Sequence, residues 1–174
     1  MNPLGTAARA RAMLLTFAFV LFAGASVAQT ALDDAMKALR QEDYETAIPL
    51  LRHLAAAGNP RAQFHVGALY VSGHGVPQDF AEALTWFLPA AAQGDAQAQF
   101  SLAIMYGAGQ GVTQDYVEAY KWSTLAAANL PPGEEREGAV YNRKLVAARM
   151  TPSQIVLAER LAREWKPTLQ GPAR

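Results

Sequence analysis

YGAGQGVTQDY, residues 106–116, sets three glycines at alternate positions: Gly107, Gly109 and Gly111. Such a loop can hold a phosphate on its backbone N–H groups, provided that it follows a strand and opens a helix. The stretch has a copy, YVSGHGVPQDF, 36 residues earlier at 70–80. Tyr70, Gly73, Gly75, Val76, Gln78 and Asp79 return as Tyr106, Gly109, Gly111, Val112, Gln114 and Asp115, whereas Gly107 answers to Val71. A glycine pair at a fixed point of a repeat marks a helix end and a turn through positive φ. No strand pattern precedes it, so the phosphate reading fails.

The repeat extends in both directions. Residues 43–78 and 79–114 share 13 of 36 positions. AQF at 62–64 returns at 98–100, Gly58 as Gly94, and Ala55-Ala56 as Ala91-Ala92. Asp43, Asp79 and Asp115 form a series, as do Ala47, Ala83 and Ala119. Each unit reads as two helices. Phe80, Ala83, Leu84, Trp86, Phe87, Ala90 and Ala91 recur at the three- and four-residue spacing of one helical face. Asp79 is placed to cap this helix and Gly94 to end it. Asp95 opens the next helix, with Ala98, Leu102 and Met105 inward. Pro49 and Pro89 fall inside the first helices, where a missing N–H predicts kinks or wide turns.

These residues resemble the Sel-one-like repeat (SLR), a relative of the tetratricopeptide repeat. They are the pattern A-x-x-W-[FY]-x-x-A-A-x-x-G followed by A-Q-[FY], Y-x-x-G-x-G-V and [QK]-D-[FY]. The resemblance implies an all-α fold, a right-handed α/α superhelix (solenoid) of tetratricopeptide-like helix pairs. It also implies a non-enzymatic scaffold for protein–protein interaction. The organisation expected is a signal peptide at 1–28, a short opening helix at 29–42, repeat 1 at 43–78 and repeat 2 at 79–114. A divergent repeat 3 at 115–150, a capping helix at 151–166 and a tail at 167–174 complete it. In the divergent repeat a helix is expected from Glu134 to about Met150. Thr151, Pro152 and Gln154 spell a capping box, and Ile155, Leu157, Ala158, Leu161, Ala162 and Trp165 an apolar stripe. A stack needs such a cap over its last apolar face.

The first 28 residues carry Arg9 and Arg11, an apolar run from Ala12 to Ala23, and small residues at Ser26 and Ala28. That is the pattern of a secretory signal with Gln29 as the new N-terminus. It predicts a periplasmic or secreted protein with no stable membrane span once the signal is cleaved. The chain has 15 basic and 15 acidic residues, which argues against nucleic acid as a partner. It has no cysteine, so thiol chemistry and disulfides are excluded.

Catalytic residues, cofactor and metal are all expected to be none. His53, His65 and His74 have no ligand-spaced acidic partners. Asp33-Asp34 and Glu134-Glu135 sit in first turns, where negative charge suits the helix dipole. The aromatic residues fall in core phase, with Trp122 and Trp165 the best candidates for partial exposure. The first helices are left to specify a protein or peptide partner in the cell envelope. Thr46, Pro49 and His53, then Glu82, Thr85 and Pro89, then Glu118 and Lys121, with Leu125, are the candidate contacts. The alternatives are a cell-wall or small-substrate hydrolase, and a glycan- or peptidoglycan-binding module.

Overall fold

The structure is a computed structural model that describes residues 29–168, all of whose regular structure is helical. Helix α1 covers 29–40. Then come α2 (Tyr44–Ala56), α3 (Pro60–Ser72), α4 (Phe80–Ala92), α5 (Ala96–Ala108), α6 (Tyr116–Asn129), α7 (Glu134–Ala147) and α8 (Pro152–Glu164). The expected signal segment lies outside the described residues.

The chain divides into two compact units, Met1–Leu50 and Leu51–Arg174. In the first, Leu32, Ala35, Ala38 and Ala47 are buried, and the Asp43 carboxylate accepts from the Thr46 N–H at 3.1 Å. In the second, α3 packs on α4, α4 on α5, α5 on α6, and α6 on both α7 and α8. This is the neighbour-on-neighbour packing of a helical solenoid.

Sequence explains where the helices start. Asn59, Asp79, Asp95, Asp115 and Thr151 each accept a backbone N–H of the following first turn. Caps of this kind contribute about 1 kcal/mol apiece. At α8 the Thr151–Gln154 capping box is complete. At the other ends, Gly73 and Gly109 close α3 and α5 in the left-handed region, at φ 75° and 70°.

Alanine brings the helices together. Ala83, Ala90, Ala91, Ala98 and Ala103 are fully buried in one cluster with Phe87, Leu102 and Trp122. The Phe87 ring lies so close to α3 that a Cβ on Gly67 would sit 2.6 Å from it.

Helices α2 and α4 run unbroken through Pro49 and Pro89. Each proline leaves unmet only the carbonyl four residues back, on the exposed residues Glu45 and Thr85. Gly94 ends α4 as expected, following the C-cap Gln93 in the left-handed region at φ 97°. Two expectations need correction, the end of α7 and the place of Leu157. Helix α7 stops at Ala147, where the Arg149 and Met150 N–H groups bond three residues back in a tight turn. Leu157 is 37% exposed and lies off the inner stripe of α8, which Ala158 and Ala162 carry.

Beyond α8 the chain doubles back. Thr168 gives both its backbone N–H and its hydroxyl to the Ala92 carbonyl at the end of α4, at 2.8 and 3.0 Å. Pro167 and Trp165 lie beside Gly94.

Candidate functional site

The glycine loops are joints. Gly111 has φ 69°, and a Cβ there would lie 2.5 Å from the Phe80 carbonyl carbon. Its backbone therefore rests directly on the first turn of α4. Gln114 donates to the Gly107 carbonyl at 2.7 Å and the Asp115 N–H to the Tyr106 carbonyl at 2.9 Å. Gln78 and Asp79 make the same bonds to Val71 and Tyr70. The loop binds its own protein, and it follows a helix rather than a strand.

A second repeated device ties one helix pair to the next. Gln63 and Gln99, the glutamines of the two AQF stretches, are buried at 4% and 0% exposure. Each donates to a carbonyl near the end of the preceding helix, Ala55 at 3.1 Å and Ala91 at 3.2 Å. Each then accepts from an amide 30 residues on, Gln93 for Gln63 at 2.9 Å and Asn129 for Gln99 at 3.2 Å. Buried amides must be satisfied, and here both ends are. The available signal was a polar residue repeating among apolar ones, with Gln93 and Asn129 at the same 36-residue offset.

On α4 and α6 the predicted partner contacts come in pairs. The Trp86 indole N–H donates to the half-buried Glu82 carboxylate at 3.1 Å. Thr85 is exposed and turns its hydroxyl to the Glu82 carbonyl, 2.7 Å away. The half-buried Pro89 carbonyl accepts from the Gln93 side chain at 3.2 Å. One repeat on, Lys121 pairs with Glu118, their side chains 14% and 27% exposed. The Lys121 ammonium also lies 4.3 Å from the Trp122 ring centroid, in cation–π range. The Tyr120 hydroxyl reaches Glu159 of α8 at 3.5 Å. On α2, Thr46, Pro49 and His53 are exposed.

Leu125 belongs to the core rather than to this face, at 8% exposure. Trp122 is buried as well, at 6%, with its ring edge-on to the half-buried Trp165 at 6.5 Å.

The three histidines do not converge. His53 and His74 are exposed, whereas His65 is half-buried beside Phe64. Burial, reinforced by the Arg61 charge, lowers the His65 pKa to about 4, so the ring is neutral at pH 7. Its Nε2 is buried without a hydrogen-bond partner. Among the described residues no three His, Asp or Glu side chains gather as metal ligands. Glu134 and Glu135 occupy the first turn of α7, where Glu135 accepts from Gln97 at 3.0 Å. No helix among the described residues is long and apolar enough to cross a membrane.

Comparison with known proteins agrees with this geometry. The family model described as Sel1 repeat matches residues 60–95 and 96–129, two units that begin 36 residues apart. A protective antigen of uropathogenic Escherichia coli strains, displaying an SLR fold, is 30% identical with a TM-score of 0.72. That match covers 79% of this chain and 29% of the antigen. A Sel1 repeat protein from Oxalobacter formigenes is 30% identical with a TM-score of 0.59, covering 76% of this chain and 55% of its own. The chain thus spans under a third of the first relative and just over half of the second. No curated protein matches it.

Proposed function

We propose that this chain, a Sel1-repeat protein, is an exported, non-catalytic scaffold that holds a protein or peptide partner on its first-helix face in the cell envelope. The observation that carries the reading is the pair Glu82 and Glu118. They stand 36 residues apart at the same point of successive repeats. Each is half-buried and steadied by a neighbour on its own helix, Trp86 for one and Lys121 for the other. Carboxylates ordered in advance lose less side-chain entropy when a partner arrives. Spaced along the stack, they suit an extended segment that offers N–H groups or basic side chains. The fixed core and joints leave such positions free to specify a partner.

Export rests on the signal pattern of residues 1–28. The reading without catalysis rests on the family, whose members generally serve as scaffolds. A glycan platform would need open aromatic faces, whereas Trp122 is buried and the Trp86 N–H is already engaged.

The test is capture of partners from envelope extracts by the wild type and by Glu82→Lys, Glu118→Lys and Lys121→Glu. A protein retained by the wild type and lost with Glu82→Lys and Glu118→Lys supports the assignment. Equal capture by all four sinks it. N-terminal sequencing of the exported protein should begin at Gln29, and a retained Met1 would refute cleavage.

A further inference from the structure

The stack carries a feature that the proposed scaffold face does not use. Between α5 and α7 lies a cleft of about 400 Å³. A space one repeat earlier, between α3 and α5, overlaps the corresponding position in part and measures about 170 Å³. Their linings correspond at three positions, one of them a valine exchanged for glycine. Val71 lines the smaller space, and its counterpart Gly107 lines the larger. Gly107 is not needed for backbone reasons. It is helical, and a Cβ there would meet Ala119 and Val146 at an ordinary 3.7 Å. Its effect is to leave the cleft open.

The walls are mixed, with Ile104, Ala108, Leu145 and Val146 apolar and Gln114, Tyr116, Asn142 and Arg149 polar. Ile104 and Leu145 line the cleft at 43% and 49% exposure. At the rim the Arg149 guanidinium donates to the Tyr116 hydroxyl at 3.3 Å. Arg149 is the one charged residue lining the cleft, and no described carboxylate lies within ion-pair distance of it. A volume in the range of ligand sites, an apolar floor and one oriented cation together specify a chemistry. An apolar side chain would fill the space over Gly107. A carboxylate beside it would take the free edge of the Arg149 fork.

We propose that the cleft between α5 and α7 is a second binding site, for a partner peptide that carries an apolar side chain next to an acidic one. The charge argument selects this occupant over a neutral or basic segment.

The test titrates full-length protein, labelled with nitrogen-15, with acetyl-Glu-Leu-Glu-amide and acetyl-Gln-Leu-Gln-amide, following backbone amides by NMR. The acidic peptide should shift amides in 104–116 and 141–149, and bind at least about fivefold tighter than the neutral one, one charge-assisted contact's worth. Gly107→Val should remove binding of both peptides while the helical circular dichroism stays. Arg149→Gln, an exposed change that does not threaten folding, should bring the acidic peptide down to the affinity of the neutral one. The proposal is overturned by equal affinity for the two peptides in the wild type, or by shifts confined to α4 and the exposed side of α6. It is equally overturned if Arg149→Gln changes nothing. Concentration-dependent shifts of the same amides without peptide would assign the cleft to a second copy of the chain instead.

Discussion

The Asn129 side chain donates to the Oε1 of Gln99, and Gln99 passes the connection on to the carbonyl of Ala91. One completely buried amide thereby joins the ends of α4 and α6. Replacing Gln99 by Leu keeps the volume but removes both bonds, while the Ala91 carbonyl keeps the Gly94 N–H and the exposed Asn129 turns to water. The expected loss is about 1–3 kcal/mol, two hydrogen bonds at about 0.5–1.5 kcal/mol each. Urea unfolding should show a lower midpoint with an unchanged slope. Adding Asn129→Leu should cost less than it does alone, because the two residues share one bond.

The two glycines of one loop should respond in opposite directions. Gly111→Ala places a Cβ against the Phe80 backbone at a positive φ, and neither neighbour can give. A loss of more than about 2 kcal/mol is expected. Gly107→Ala puts a methyl into ordinary contact within a helix and should stabilise by about 0.5–1 kcal/mol. Thermal unfolding of the pair checks both signs.

Gly67→Ala presses on the Phe87 ring, which is 1% exposed and has little room to move. A cost of about 1–3 kcal/mol is expected from overpacking. Part of that loss should return in Gly67→Ala with Phe87→Leu, as the smaller side chain yields the space. Denaturant midpoints of the single and double variants measure the recovery.

His65 predicts an acid limit. Its pKa is about 4 in the folded chain against 6.5 for an unperturbed histidine. The unfolded chain therefore binds more protons between those values. Stability from the neutral ring is complete above pH 6.5 and is lost as pH falls from there towards 4, by about 2–3 kcal/mol. His65→Ser, which borrows the residue that the next repeat has at Ser101, should flatten the slope in that window. Chemical denaturation at half-unit pH steps would show an unchanged slope if His65 is not responsible.

The helix pairs were legible because capping aspartates, glycine joints and small core residues recur at one interval, so each copy checks the other. Pro49 and Pro89 do not interrupt their helices, since the bond each removes lies at an exposed residue. Helical phase at a single position misled where packing outweighed it. Leu125 reads as a variable surface residue, yet it is interior, because α7 and α8 cover more of α6 than a repeat-by-repeat phase implies. The paired setting of Glu82 and Glu118 could be guessed only as positions. The indole and ammonium that hold them depend on rotamers that a sequence does not state. Gly107 departs from its repeat counterpart Val71, and the structure relates it to α7, whose Val146 lies beside it.

A stack of repeats is ordinarily a line: each member feels its two neighbours, and the free end melts first. The bonds from Thr168 to Ala92 span 76 residues and turn the last part of that line into a closed circuit. Helices α5 to α8 lie within it, so none of them can peel away in sequence without first undoing the clasp. Hydrogen exchange should therefore find their amides opening together rather than in a gradient from the carboxyl end. The last described turn is thereby as steady as the middle of the stack.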